Sequence, residues 1–231
     1  MKKVLITGAT SGIGYATLKE LVNKYEVIFT YHHNEEKALE ITSKYHIKGY
    51  YLDLGDKESI EKLVDSIDNI DILINNAAIC LDNSFEDKTY IEFSKVVNVN
   101  LIGTYYLTKL LSKKINNGGN ILFISSTNGI DTYYIESIDY DASKAGVISL
   151  MHNFAKQLAP IRVNAIAPGW VDTEMNASMS DKFKKKEEEH ILLKRFASPE
   201  EISKVINFVI SDDASYINDT VIRVDGGVNN G

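Results

Sequence analysis

Along almost its whole length, the chain alternates short runs rich in apolar and β-branched residues with longer segments of helical period. The strand candidates are residues 4–7, 26–31, 49–52, 72–75, 120–125, 162–167 and 221–224. Between them, helical segments cover 15–24, 35–45, 59–67, 90–115, 139–158 and 200–210. A strand followed by a helix carries the chain back to start a parallel neighbour, so this alternation predicts an α/β fold: a doubly wound parallel sheet with helices on both faces. Several strands are nearly all apolar, as in Ile121-Leu122-Phe123-Ile124, which fits strands covered on both sides. The chain's 3 prolines, Pro160, Pro168 and Pro199, fall at segment boundaries, and no repeat or linker intervenes. The expectation is a single domain over residues 1–231.

With 231 residues and 44% of them hydrophobic, the chain can bury one sizeable core. It has no apolar run long enough to span a bilayer, and the stretch after Lys2-Lys3 is too short for a signal peptide. The single cysteine, Cys80, excludes an intrachain disulfide and agrees with a reducing, cytoplasmic setting. A net charge of -7 argues against a nucleic-acid binder. The basic run Lys184-Lys185-Lys186 is followed at once by Glu187-Glu188-Glu189 and reads as a solvated helix face. That block lies in an irregular stretch, about 170–197, with Met175, Met179, Phe183, Ile191, Leu192 and Leu193 at roughly helical spacing. A segment of this length beyond a strand's carboxyl end is expected to be a substrate lid. The five histidines form no cluster with the cysteine, so no metal site is expected.

Two motifs carry chemistry. The first strand runs into Thr7-Gly8-Ala9-Thr10-Ser11-Gly12-Ile13-Gly14 and then a helix. Glycines there let backbone N–H groups approach a diphosphate, and the helix start adds partial positive charge, so dinucleotide binding is expected. The second motif is Tyr140-Asp141-Ala142-Ser143-Lys144, which sets a tyrosine and a lysine one helical turn apart on one face. It follows the Ser125-Ser126 pair that ends an apolar strand. A nearby ammonium favours a phenolate, so the pair is expected to exchange protons near neutral pH. With a hydride carrier beside it, that is redox chemistry at a carbonyl or alcohol.

These motifs, in this order, resemble the short-chain dehydrogenase/reductases. The resemblance covers nearly the whole chain and rests on Thr7-Gly8-x-x-x-Gly12-Ile13-Gly14, Asn75-Asn76-Ala77-Ala78, Asn100, Ser126, Tyr140-x-x-x-Lys144, Pro168-Gly169 with Thr173, Arg195-Phe196, Pro199-Glu200-Glu201-Ile202 and Val224-Asp225-Gly226-Gly227. It implies a Rossmann-type sheet of order 3-2-1-4-5-6-7 and an NAD(P)(H)-dependent oxidoreductase. By the same resemblance Tyr140 is the general acid or base, Lys144 binds the nicotinamide ribose, Ser126 polarises the substrate oxygen, and Asn100 anchors a proton-relay water. The family serine stands three residues before a glycine, here Gly129, which selects Ser126 over Ser125; strand alternation lets only one of them serve. Asn98 remains a rival to Asn100. The cofactor-binding set implied is Gly8, Thr10, Ser11, Gly12, Ile13, Gly14, Tyr31, His32, His33, Asp53, Leu54, Asn76, Ala77, Ala78, Tyr140, Lys144, Pro168, Gly169, Val171 and Thr173. Ala78 stands where the family usually has glycine.

After the second strand the chain has Tyr31-His32-His33-Asn34, without the acid that holds both ribose hydroxyls in NAD enzymes. A histidine beside a 2′-phosphate gains charge, so NADP(H) is expected over NAD(H). The closest texture is that of β-ketoacyl carrier-protein reductases, through Asn164-Ala165-Ile166-Ala167-Pro168-Gly169-Trp170 and the tail. Acyl carrier protein is acidic, so Asp131, Glu136, Asp139 and Asp141 around the tyrosine count against it as the partner, while Lys182, Lys184, Lys185, Lys186, Lys194 and Arg195 on the lid offer a basic rim in its favour. Tyr133 and Tyr134 in the loop 129–137 suit a polar or ring-shaped substrate equally, so a sugar, polyol or cyclic-ketone enzyme stays open. So does a cofactor-sensing protein without turnover. The resemblance further implies a homotetramer or homodimer.

Overall fold

The computed structural model describes residues 1–177 and 179–228. Its strands are β1 (Lys3–Ile6), β2 (Glu26–Tyr31), β3 (Lys48–Tyr51), β4 (Ile70–Asn75), β5 (Ile115–Ile124), β6 (Arg162–Pro168) and β7 (Val221–Val224). They form one 7-stranded sheet in the order β3-β2-β1-β4-β5-β6-β7, every neighbouring pair parallel. The helices are α1 (Gly12–Leu21), α2 (Glu35–Tyr45), α3 (Lys57–Ser66), α4 (Tyr90–Val97), α5 (Thr104–Leu111), α6 (Ile138–Leu158), α7 (Asp181–His190) and α8 (Pro199–Ile210). The winding reverses between β1 and β4, which opens a crevice at the carboxyl ends of the central strands.

The period of two in the strands sorts their side chains into two cores. Leu5, Leu73, Ile121, Phe123, Val163 and Ala165 face one side, with Leu107, Leu111, Val147 and Met151 from α5 and α6 packed over them. Val4, Ile6, Val27, Phe29, Ile72, Ile74, Leu122 and Ile166 face the other, under Leu18 and Leu21 of α1 and Ile202, Ile206 and Val209 of α8. Phe29 and Phe123 are fully buried, and burying a side chain of this kind stabilises the fold by about 1.5–3 kcal/mol.

Local chemistry sets the helix starts. The Thr89 hydroxyl accepts from the Glu92 N–H while Glu92 reaches back to Thr89, a reciprocal cap that begins α4. Ser198 and Glu201 do the same for α8, with Pro199 in its first turn.

One expected element is broken. Residues 90–115 form α4, then a π-helical turn at Asn98–Gly103, then α5, and Ile115 already belongs to β5. The cause is Asn100: its Oδ1 accepts from Ile79 N–H and its Nδ2 donates to Ile79 C=O, both at 2.8 Å. This two-point attachment to the loop after β4 pulls one residue out of regular helical spacing, as π-bulges at functional sites do. β3 also starts a residue earlier than expected and ends at Tyr51.

Candidate active site

The loop between β1 and α1 is held by the start of the segment after β4. Asn76 Nδ2 donates to the carbonyls of Thr7 (2.9 Å) and Gly8 (3.0 Å), and Thr7 Oγ1 accepts from the N–H groups of Asn76 and Ala77. Gly8 and Gly12 take positive φ of 65 and 50 degrees, the left-handed region open to glycine. A Cβ on Gly14 would lie 2.2 Å from the Gly8 carbonyl oxygen, so only glycine allows α1 to start against the loop. Ser11 precedes α1 without a side-chain cap; the Gly12 N–H instead meets the carboxylate of Glu174 at 3.0 Å. A carboxylate on that first amide marks it as an anion position. The donors and close backbone approach therefore fit a dinucleotide's diphosphate, bordered by Thr10, Ile13 and Thr173. Thr173 and Glu174 lie over Gly12.

At the crevice's other end stand Tyr140 and Lys144, on the first turns of α6. Lys144 is buried and its Nζ donates to Ile124 C=O at 2.8 Å, 5.3 Å from the centre of the Tyr140 ring. Burial pulls its ammonium down to about 8. The Tyr140 phenol is pushed up, first by burial and then by Cys80, Asp141 and Asp82, while a hydrogen bond with Ser126 opposes the shift. The expected lysine-driven lowering of the phenol is therefore not what this arrangement produces: the ammonium donates to the Ile124 carbonyl, and burial, the largest cause, raises the phenol.

The two serines separate as strand alternation requires. Ser126 opens into the cavity and its Oγ accepts from Asn128 N–H at 3.2 Å. Ser125 is buried, with its Oγ donating to Lys144 C=O at 2.9 Å. The asparagines separate as well. Asn100 is buried and also donates to Ser143 Oγ at 3.1 Å, whereas Asn98 turns away to Gly55 C=O at 3.0 Å.

A cavity of about 470 Å³ lies over Ser126 and Tyr140. Its walls include Cys80, Asp82, Asn128, Tyr134, Trp170 and Glu187, and no lysine or arginine lines it among the described residues. Asp82 accepts from Ser137 Oγ at 2.6 Å and from the Cys80 thiol; burial first, and then Asp82, push that thiol up to about 12. Glu187 accepts from the Trp170 indole at 3.2 Å. The contributions of Asp82, Asn128 and Glu187 were not foreseen, because they come from three separate segments with no common motif. Loop chemistry beside Cys80 and Ser126 was the only available signal.

Residues 170–197 are tied at both ends. Val171 pairs with Ala197, and Ile191 with Val228. Between these ties α7 packs Phe183 against Tyr134 (5.7 Å between ring centres) and Trp170 (6.0 Å), and Trp170 stacks on Phe196 at 5.5 Å. Pro168 ends β6, and Gly169 N–H donates to Val224 C=O at 3.1 Å.

The remaining candidates meet at the ends of β2 and β3. Tyr31 and Tyr51 meet edge to face, and the rings of His32 and His33 lie 3.8 Å apart. His32 Nε2 is 3.6 Å from Asp53 Oδ2, so the aspartate expected at the adenine faces the histidine. Asp53 Oδ1 also accepts from Gly55 N–H at 2.7 Å. Leu54 is buried, and Ala77 and Ala78 continue the loop after β4. Among the described residues no group of His, Cys, Asp and Glu is arranged to hold a metal ion, and no helix is long and apolar enough to cross a membrane.

Comparison with known proteins agrees with this geometry. Residues 8–229 match the family model described as enoyl-(acyl carrier protein) reductase. The 3-oxoacyl-[acyl-carrier-protein] reductase FabG of Aquifex aeolicus is 39% identical over 98% of this chain and 97% of its own length. The FabG of Thermotoga maritima is 35% identical over 98% and 97%. A short-chain dehydrogenase of Burkholderia cenocepacia, solved in complex with NADP, superposes with a TM-score of 0.91 at 26% identity, covering 98% of this chain and 97% of that one. The chain therefore belongs to the short-chain dehydrogenase/reductase family of nicotinamide-dependent oxidoreductases.

Proposed function

We propose that this protein reduces a ketone to a secondary alcohol with NADP(H) favoured over NAD(H), and that a 3-oxoacyl thioester is its first substrate class. The observation that carries the reading is the meeting of Tyr140 and Ser126 at one cavity with Lys144 packed beneath. A reduced nicotinamide, when bound, supplies the hydride. Ser126 Oγ then donates a hydrogen bond to the substrate oxygen as negative charge develops there. Tyr140 gives that oxygen its phenolic proton, and in the reverse direction takes it back. Lys144 holds the ribose side of the site, and Asn100 braces the turn on which the relay depends. Gly8, Gly12, Ile13 and Gly14 form the diphosphate cradle, and residues 170–197 close over the substrate.

The thioester reading rests on the curated relatives, which are 3-oxoacyl-[acyl-carrier-protein] reductases. A neutral keto end also agrees with a cavity that has acidic walls and no lysine or arginine among its described lining residues. Acyl carrier protein would dock against the cations of α7, chiefly Lys182, Lys185 and Lys186. The polar and aromatic lining supports a second reading, a hydroxylated ring ketone. We further read the protein as a single cytoplasmic domain that assembles as a homotetramer or homodimer through the exposed apolar residues Tyr90, Ile91 and Ile102.

The deciding experiment is turnover of acetoacetyl thioesters, cyclic ketones and sugars by the wild type and Tyr140→Phe. The variant should lose turnover and keep cofactor affinity. Full activity in it would remove this mechanism, and no turnover by the wild type on any carbonyl would favour a cofactor sensor.

A further inference from the structure

One buried ion pair lies next to the reacting tyrosine and has no part in the scheme above. Lys88, in the loop between β4 and α4, and Asp139, in the first turn of α6, have side chains only 5% and 0% exposed. Lys88 Nζ is 3.0 Å from Asp139 Oδ2 and donates as well to the carbonyl of Leu81. The other oxygen of Asp139 accepts from the backbone N–H of Tyr140 at 2.9 Å. The lysine thus joins the residue that leads into the cavity wall, Leu81 before Asp82, to the residue that leads into Tyr140. Two neighbouring contacts run the same way: Ser137 Oγ to Asp82 at 2.6 Å, and Asn83 N–H to Glu136 C=O at 3.1 Å.

Charge gives the pair a second consequence. Tyr140 is faced by Cys80 and Asp82 from the loop after β4, by Ser126 from the end of β5, and by Asp141 and Lys144 on its own helix. Asp141 is satisfied by dipoles alone, accepting from Asn128 Nδ2 at 2.6 Å and Tyr134 N–H at 3.1 Å. Among the described residues, Asp82 accepts from the hydroxyl and thiol given above. Of these three carboxylates beside the tyrosine, Asp139 is the one ion-paired with a cation among the described residues. Its charge reaches the groups that face Tyr140: burial raises both Asp141 and Cys80, and Asp139 adds to each. For stability alone, a buried ion pair has no advantage over apolar residues of the same volume, whereas removing one partner leaves an expensive unpaired charge.

We propose that Lys88 is a positioning residue for the reaction: through Asp139 it fixes the cavity wall against the start of α6 and cancels a negative charge that would otherwise bear on Tyr140. This rests on Tyr140 being the proton donor and acceptor. The sign follows from electrostatics. An uncancelled carboxylate makes the phenol harder to ionise, and an uncancelled ammonium makes it easier.

The test is the pH dependence of alcohol oxidation, which needs the ionised tyrosine, in Lys88→Met, Asp139→Asn and the double variant, with cofactor affinity measured alongside. The midpoint of the rise with pH should move up in Lys88→Met and down in Asp139→Asn. A shift of about half to one unit corresponds to a rate change of about three- to tenfold below the midpoint. The double variant should return close to the wild-type midpoint, and Lys88→Arg should keep it. Equal midpoints in folded single variants, or shifts of the same sign, would overturn the proposal. Should Lys88→Met fail to fold, Asp139→Asn and the double variant still decide the sign. Tyr140→Phe, run in parallel, separates the two failures: if it retains turnover, the tyrosine's role falls, whatever Lys88 does.

Discussion

The carboxylate of Glu174 accepts the first free N–H of α1, that of Gly12, at 3.0 Å. A residue from the segment after β6 thereby caps the helix start proposed for the cofactor's diphosphate. Ser11, the residue placed to cap α1, makes no side-chain bond to it. Carboxylate and diphosphate seek the same donors, so they compete. Glu174→Gln should tighten NADPH and ADP-ribose alike by about two- to fivefold, the usual size of an anion effect at a helix start. Calorimetric titration of both ligands measures it. Unchanged or weaker affinity would show that Glu174 and the diphosphate bind side by side.

Ser126 and Ser125 should give opposite phenotypes. Ser126→Ala removes the hydroxyl proposed to hold the substrate oxygen and should lower kcat by about 10²- to 10³-fold with little change in Tm. Ser125→Ala breaks a buried bond to the Lys144 carbonyl and should cost about 1 kcal/mol of stability while kcat stays within a few fold. Steady-state kinetics and thermal melts on the two proteins suffice. A kcat loss confined to the Ser125 variant would reverse the assignment.

The pH dependence of stability follows from Lys144. Burial lowers its ammonium to about 8 in the folded protein, against roughly 10.4 in an unfolded chain. Between those values the unfolded state binds more protons, so stability rises with pH through this window. Below about 8 both states are protonated, and the buried charge weighs most heavily against the fold. Urea unfolding of the cofactor-free protein at pH 7 and pH 10 should therefore give a larger gain for the wild type than for Lys144→Met. An equal gain in both would mean that some other group carries the effect.

His32 and His33 are the basic side chains that directly follow β2. Asp53 lies 3.6 Å from His32. His32→Ala should raise KM for NADPH several-fold while leaving NADH nearly unchanged, as stopped or continuous assays with each cofactor will report. A preference for NADH in the wild type would remove the argument from these residues.

Much of the fold was legible because its signals are local. Strand periodicity, the glycine loop between β1 and α1, and the Tyr140/Lys144 spacing each lie within a few residues of sequence. The break in the helix over 90–115 was not legible, because its cause is Asn100 bonding Ile79 across the fold. Nor was the choice between Asn100 and Asn98, which depends on which of them faces Ile79 and which faces Gly55. The tyrosine's ionisation went against the local reading for the same kind of reason. Sequence shows a lysine four residues away but hides the burial that outweighs it and the Ile124 carbonyl that takes the ammonium.

The sequence by itself therefore determined the parallel sheet, the strand order that its family resemblance implied, and the residues proposed for a hydride-transfer site. Tertiary structure alone decided that Ser126 and not Ser125 opens into the cavity, that Asn100 and not Asn98 ties to Ile79, that Glu174 sits on the first amide of α1, and that Lys88 answers Asp139 beside Tyr140. The physical reason is range. Backbone periodicity and turn chemistry act between near neighbours, whereas desolvation and ion pairing depend on what the folded chain brings together from far apart.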